Sequence, residues 1–306
     1  ADSHRRRQTH AGGFPHFRAC PQRLHQFDRP EGMGRRLPAP NLLAGRGRRR
    51  TKIEQERQLD ATRAFDVALQ LAAHGDRAGF DLTFETRTRI DRVLADYAGY
   101  LRSLVDLTGS RPLKVVVDAG NGMAGLTTPA VLGDGVLPAQ PLEIVELYFE
   151  LDGTFPNHEA NPLIEENRRD IVERVIADKA DIGIAWDGDA DRCFFIDGTG
   201  EFIAGDFVTA LLAEAFLLKH PGAKVVYDVR ASYAVKDTVA KYGGSALMNR
   251  VGHAFFKRRM REEGAIFGGE VTGHYYFADN FYADNGFIPA LLMLELMSRK
   301  GQTLRE

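Results

Sequence analysis

Cysteine is nearly absent from this chain. Cys20 and Cys193 are its only thiols, too few for a disulfide framework and in keeping with a reducing compartment. Long hydrophobic runs are missing too. None approaches the roughly 20 residues of a membrane span, and no apolar core follows the N-terminal charges as a secretory leader requires. Charge of one sign is lacking overall: the net of −2 points to neither nucleic acid nor an anionic membrane as a general partner. Serine is scarce at the start, where Ser3 and Ser103 are the only ones before Ser110, fewer than a transit peptide carries. These absences leave a soluble cytoplasmic chain as the expectation. Its 306 residues allow two domains, each able to bury a core.

The first 50 residues lack Val, Ile, Tyr, Trp and Lys and are crowded with Arg, Pro, Gly and His. They hold 12 Arg and 3 acids, a net of +9 against −2 for the whole chain, so the remaining 256 residues carry −11. No helical or strand period runs through them, and such text cannot bury enough apolar surface to offset the entropy of ordering. The Arg-rich stretch 45–50 has the composition of a nucleic-acid arm, but nothing beyond it supports nucleic-acid work. The abrupt change to ordinary Val, Ile and Asp usage reads as an irregular segment over 1–92, either disordered or translated out of frame from GC-rich coding sequence. Within it, 62–73 fits a helix and 81–90 alternates as a strand does.

From residue 93 strands and helices alternate. The periodicity predicts helix over 93–107, strand over 113–118, helix over 121–132 and strand over 142–149. A polar, Pro-rich loop at 152–162 precedes a helix over 165–179. A second run begins with Asp206 as the expected N-cap of a helix through 218. Strands over 224–229 and 246–251 then alternate with helices over 233–242 and 253–261, and short strands at 265–268 and 274–277 precede a last helix over 286–299. The expected fold is α/β: two consecutive mixed α/β/α domains, 93–203 and 204–306, each a largely parallel sheet covered by helices, the second a structural cousin of the first.

Chemistry concentrates in Asp187-Gly188-Asp189-Ala190-Asp191-Arg192, flanked by the short apolar runs 181–186 and 193–197, which read as buried strands. Three carboxylates at every second position repel one another, and burial would raise their pKa values unless a cation were present. Mg²⁺ meets that need with oxygen ligands and sites left open for a phosphate oxygen. The competing reading is a solvated acidic turn. An EF-hand fits poorly, since Arg192 stands where that loop needs Gly and Gly198 where it needs Glu. Asp118-Ala-Gly120-Asn-Gly122-Met-Ala-Gly125 matches G-x-G-x-x-G. It reads either as a tight strand-to-helix turn or as a dinucleotide fingerprint with Glu143 or Glu146 as ribose partner. In Gly268-Gly-Glu270-Val-Thr272-Gly-His274 a carboxylate and a hydroxyl share a flexible loop suited to vicinal sugar hydroxyls, or the stretch is an ordinary Gly-rich hairpin. Arg250-Val-Gly-His253 opens a helix, where a His either caps or relays protons.

Together with Phe155-Pro-Asn-His158-Glu-Ala-Asn161-Pro162, these motifs stand in one order across 93–306, and that stretch resembles the two middle domains of the α-D-phosphohexomutases, the phosphomannomutase and phosphoglucomutase family. The resemblance implies phosphoryl transfer between O1 and O6 of a hexose phosphate through a phosphoserine and a 1,6-bisphosphate. It implies Mg²⁺ on Asp187, Asp189 and Asp191, with the phosphoserine oxygen as the remaining ligand. Glu270 and Thr272 would hold the 3- and 4-hydroxyls, with His274 and Arg250 also binding substrate. His253 would be the general acid/base, and Arg192 and Arg230 would lend charge; His158 and Asn161 are weaker candidates. The Glu-Val-Thr-Gly-His wording is nearer the phosphomannomutase/phosphoglucomutase branch than the phosphoglucosamine mutases. The expected partners are mannose and glucose 1- and 6-phosphates and the bisphosphate, with no nucleic acid and no membrane. The family's Thr-x-Ser-His-Asn-Pro loop and Arg-x-Ser-Asn-Thr text do not occur, and Ser3-His4 is followed by Arg5-Arg6. On this reading the chain lacks the serine loop and the C-terminal phosphate-binding domain and is inactive alone.

Overall fold

The computed structural model describes residues 84–306, with side chains from residue 88. The helix at 62–73, the Arg-rich arm and Ser3 lie outside the described residues, as does the irregular or out-of-frame segment expected over 1–92 except for 84–92, which are helical. Helix α1 spans Phe84–Leu104. The strand expected over 81–90 is therefore helix from Phe84 onward. The buried stripe Leu94, Ala98 and Leu101 anchors this helix, and cooperative propagation carries it back through residues whose own alternation suggested a strand.

Seven of the expected elements follow closely. They are β1 (Leu113–Asp118), α2 (Ala124–Val131), β2 (Leu142–Leu147), α3 (Arg169–Asp178) behind a 3₁₀ turn at Glu165–Arg168, β3 (Ile182–Trp186), β4 (Cys193–Asp197) and, after a short edge strand β5 (Phe202–Ile203) that the pattern does not predict, α4 (Gly205–Lys219). The chain continues through β6 (Lys224–Asp228), α5 (Tyr233–Lys241), β7 (Ser245–Asn249), α6 (His253–Glu263), β8 (Phe267–Gly269), β9 (Tyr275–Phe277), β10 (Ala283–Asp284) and α7 (Phe287–Lys300). Ala204, not Asp206, is the N-cap of α4 and supplies no side-chain cap. Asp206 lies inside the first turn, where its carboxylate accepts the N–H groups of Phe207 and Ser232.

The first sheet runs β2-β1-β3-β4-β5 and the second β7-β6-β8-β9-β10, the same wiring twice. In each, the three strands on one side pair in parallel and the last two connections are antiparallel. Both sheets are thus mixed rather than largely parallel. The reason lies in the links: helices connect the parallel strands, whereas the connections from 187–192 and 270–274 are too short for a crossover and force hairpins. Central β1 is buried along nearly its whole length, whereas edge strand β2 exposes Glu143 and Glu146.

One apolar cluster runs through both sheets, from Val115, Ile184 and Phe195 to Val225, Phe267 and Phe277. Helices α4 and α7 are buried almost all round, and each carries a buried glutamate. Glu214 pairs with Lys300 at 2.5 Å, and Glu295 pairs with Lys219 at 2.7 Å and Arg299 at 2.6 Å. Trp186, at the end of β3, stacks on Phe287 with ring centroids 4.6 Å apart and donates its indole N–H to the Gly286 carbonyl at 2.9 Å. No helix among the described residues is long and apolar enough to cross a membrane.

Candidate functional site

Strands β3 and β4 pair out to Trp186 and Cys193, so residues 187–192 must turn the chain round at the sheet end. Ala190 takes a left-handed φ of 62° to do so, and its N–H donates to the Asp187 carbonyl at 3.1 Å. The alternation of acids with small residues then gathers the carboxylates: one oxygen each from Asp187, Asp189 and Asp191 lies within 4.8 Å of the others. Asp187 is buried, Asp191 half-buried and Asp189 exposed. Arg192 folds back on Asp187, donating its backbone N–H at 3.0 Å and its Nε–H at 2.5 Å.

One guanidinium does not balance three acids. Burial, then the neighbouring carboxylate of Asp189, pushes Asp187 up. Burial and the carboxylates of Asp187 and Asp189 push Asp191 up to about 7. An all-oxygen donor set that is short of positive charge fits a hard divalent cation. Because these folded-state pKa values lie above the unfolded ones, the metal-free chain loses stability as pH rises from about 4 through about 7. Mg²⁺ should therefore raise the unfolding temperature at about pH 8 and leave it nearly unchanged at about pH 5. Thermal unfolding followed by circular dichroism at the two pH values checks this, and a shift of equal size at both would contradict it.

The matching turn of the second sheet, 270–274 between β8 and β9, meets this loop directly. Arg192 and His274 form an isolated antiparallel bridge, and the Cys193 N–H donates to the Gly273 carbonyl at 3.1 Å. His274 sits between the two clusters, with Nε2 3.5 Å from Asp191 and Nδ1 3.9 Å from Glu270. Burial pushes its pKa down. Glu270 is only 3% exposed. Its carboxylate accepts the Gly252 N–H at 2.8 Å and the Tyr276 hydroxyl at 2.6 Å, so it is no exposed hairpin acid. That bond ties the turn before α6, with Arg250 and His253, to the loop. His253 is exposed at the first position of α6, and Arg250 stacks over Phe255, 3.6 Å from the ring centroid. Arg230 pairs with buried Asp228 through its backbone N–H at 2.8 Å and its Nε–H at 3.0 Å, and Asp228 also accepts the Val271 N–H at 3.3 Å. Thr272 is half-buried in the same loop.

Asp284 was not legible as part of this group. It lies on β10, joins Asp191 and His274 within 4.8 Å and is paired with Lys257 at 2.9 Å. Only the antiparallel pairing of β10 with β9, Asp284 opposite Tyr276, brings it there.

The G-x-G-x-x-G turn is packed, not open. A Cβ on Gly122 would lie 2.6 Å from the Gly188 carbonyl oxygen, and one on Gly125 would lie 2.1 Å from that of Phe149. The Met123 N–H donates to the Gly188 carbonyl at 2.9 Å, and Glu143 pairs with Lys114 at 3.0 Å. These glycines let the backbone of β1's turn support the acid loop, which accounts for the motif without a dinucleotide.

Comparison with known proteins agrees. Residues 95–200 match the family model described as phosphoglucomutase/phosphomannomutase, alpha/beta/alpha domain II, and residues 204–306 match that of domain III. A protein named phosphohexose mutases from Xanthomonas campestris pv. campestris (strain B100) is 44% identical over 254 residues, 83% of this chain and 55% of that protein. The phosphomannomutase of Escherichia coli (strain K12) is 43% identical over 237 residues, 78% of this chain and 52% of that protein. A solved phosphoglucomutase/phosphomannomutase family structure from Burkholderia thailandensis aligns with a TM-score of 0.63 and 37% identity, covering 69% of this chain and 44% of that one. The chain thus spans about half the length of the curated relatives it matches. With both sheets, the acid loop and the loop it meets all accounted for, the chain belongs to the α-D-phosphohexomutase family.

Proposed function

We propose that 93–203 and 204–306 are the ion-binding and sugar-binding domains of a phosphohexomutase of the phosphomannomutase/phosphoglucomutase kind. In this reading a phosphoryl group moves between O1 and O6 of mannose or glucose phosphate by way of a 1,6-bisphosphate. One juxtaposition carries it: the three-carboxylate turn and the Glu270–His274 turn are joined edge to edge through the Arg192–His274 bridge.

Asp187, Asp189 and Asp191 would hold Mg²⁺, which when bound stabilises the negative charge of a transferring phosphoryl group. Arg192 adds fixed positive charge beside it. Glu270 and Thr272 offer an acceptor and a hydroxyl to vicinal sugar hydroxyls, with His274 and Arg250 as further substrate-binding residues. His253 moves the proton of the reacting hydroxyl, and Arg230, held by Asp228, supplies charge nearby. The phosphoryl donor is a phosphoserine in Thr-x-Ser-His-Asn-Pro text, which these 306 residues do not contain.

The expected result is that this polypeptide binds glucose 1,6-bisphosphate only with Mg²⁺ present and shows no mutase turnover above background. Isothermal titration and a coupled assay on mannose 1-phosphate test the two halves. Turnover that survives Ser3→Ala yet requires Asp189 would overturn the account of the nucleophile. Bisphosphate binding indifferent to Mg²⁺ would overturn the site.

A further inference from the structure

We infer that His158 is an imidazolium and that its pair with buried Asp118 positions the acid loop, which makes both residues positioning residues for divalent-cation binding. His158 Nδ1 lies 2.9 Å from the Glu159 carbonyl oxygen, and Nε2 lies 3.1 Å from Asp118 Oδ2. A carbonyl and a carboxylate can only accept, so both ring nitrogens must donate, and an imidazole that donates twice is a cation. The Asp118 hydrogen bond holds the imidazolium pKa above its ordinary value even though burial opposes it. Of the other groups near the ring, Asp170 favours a cation. Tyr148 packs perpendicular to the imidazole, with ring centroids 5.3 Å apart, and donates its hydroxyl to Asp170 at 2.6 Å, while Arg169 lies 3.4 Å from the far oxygen of Asp170.

The second sheet repeats the arrangement with the ambiguity removed. Asp228 ends β6 as Asp118 ends β1, and each carboxylate accepts the N–H two residues on at 2.8 Å, from Arg230 and from Gly120. There the counter-cation is Arg230, charged at every accessible pH. His158 fills the same requirement for the buried Asp118, which is 2% exposed.

A continuous set of contacts links this pair to the acid loop. Asp118 fixes the turn through Gly120, and the same turn donates the Met123 N–H to the carbonyl of Gly188, the residue between Asp187 and Asp189. Ala160, just past His158, fills the space over both glycines: a Cβ on Gly120 would come within 3.3 Å of its methyl, and one on Gly188 within 3.8 Å. Asn157 reinforces the seam by donating to the Asn121 side chain at 2.7 Å. Losing the imidazolium frees the 155–161 segment and with it the backing of Gly188.

The positioning role rests on reading the acid loop as a cation site; the charge on His158 does not. The test therefore has two arms on the full chain. Long-range ¹H–¹⁵N spectra, with the His158 signal identified by its loss in His158→Gln, should show a titration midpoint above the ordinary His value of about 6.5. Mn²⁺ titration followed by electron paramagnetic resonance should show affinity falling about tenfold in His158→Ala, the size of one charge-assisted hydrogen bond. His158→Gln keeps a donor toward Asp118 and should retain most of the affinity. The ratio of wild-type to His158→Gln affinity should fall as pH rises through the imidazolium midpoint, a dependence a purely structural role would not give. A midpoint at or below the ordinary value, or a folded His158→Ala protein with unchanged Mn²⁺ affinity, overturns the inference. Should His158→Ala not fold, the wild-type titration and the Gln ratio still decide it. A wild-type chain that fails to bind Mn²⁺ overturns the cation site and the positioning role together, leaving the midpoint to report on the charge.

Discussion

Asp189→Asn should weaken Mg²⁺ or Mn²⁺ binding by at least about 10- to 100-fold, the loss already typical of removing a mere outer-shell partner. The substitution is nearly isosteric at an exposed position, so the fold should survive it. Two of the three carboxylate charges remain, but they are the partly neutralised ones: Asp187 is engaged by Arg192 at 2.5 Å, and Asp191 is pushed up to about 7 by burial first. Asp189 is also among the groups that push up both of the others. Its neutralisation relieves repulsion, and the metal-free variant should lose less stability than wild type on going from about pH 5 to about pH 8. Calorimetric titration gives the affinity, and thermal unfolding with and without Mg²⁺ gives the linkage. Retained affinity together with a retained Mg²⁺-dependent shift would leave the acid loop a solvated turn.

Trp186→Ala should cost about 3–5 kcal/mol, as expected when a large buried aromatic is truncated. Trp186 is the only tryptophan, is 1% exposed, and reaches from the end of the first sheet to the start of α7. Truncation opens a cavity at that junction and strips the Gly286 carbonyl of its donor. Against a typical domain stability of about 5–15 kcal/mol, that is a large fraction of the total. Trp186→Phe keeps a ring against Phe287 but loses the indole N–H and part of the buried volume, so it should cost less than the alanine change yet at least roughly 1–3 kcal/mol, the penalty for a buried acceptor left without its donor. Urea unfolding followed by circular dichroism measures both, since the fluorophore itself is removed. An Ala variant unfolding at the wild-type urea midpoint would show that the junction contributes nothing.

Much of the fold could be read from the sequence because its central strands are short apolar runs bounded by turn residues. Leu113–Asp118 is found to the residue, and the β3 and β4 flanks of the acid loop fall where expected. The misreadings share a physical cause, which is that distant partners outweigh local text. Helix α1 extends back to Phe84 because its packed stripe propagates through indifferent residues. Asp206 has the composition of a cap, yet Ser232, on a different element, takes its second oxygen. The mixed sheet was legible in principle, since the turns at 187–192 and 270–274 are too short for a parallel crossover.

The site shows the same division. Three alternating aspartates carry their own geometry, so their convergence could be anticipated. Glu270 sits in Gly-rich text that reads as exposed, but Gly252 and Tyr276 bury it. Asp284 and Lys257 have no motif at all and arrive only through the pairing of β9 with β10 and the packing of α6. His158 stood out only by its place in a Pro-rich loop, and nothing in that loop names Asp118 as its partner.

The seam between the two sheets bears on motion. A Cβ at Gly286 would lie 2.5 Å from the Ala190 carbonyl oxygen, and one at Gly273 would lie 2.7 Å from the Phe194 ring, so main chain from one half rests against the other with no side chain between. Rotation of one half on the other would break the Cys193–Gly273 and Trp186–Gly286 hydrogen bonds together. The carboxylate turn and the glutamate turn are consequently coupled, since displacing one relative to the other costs both bonds at once.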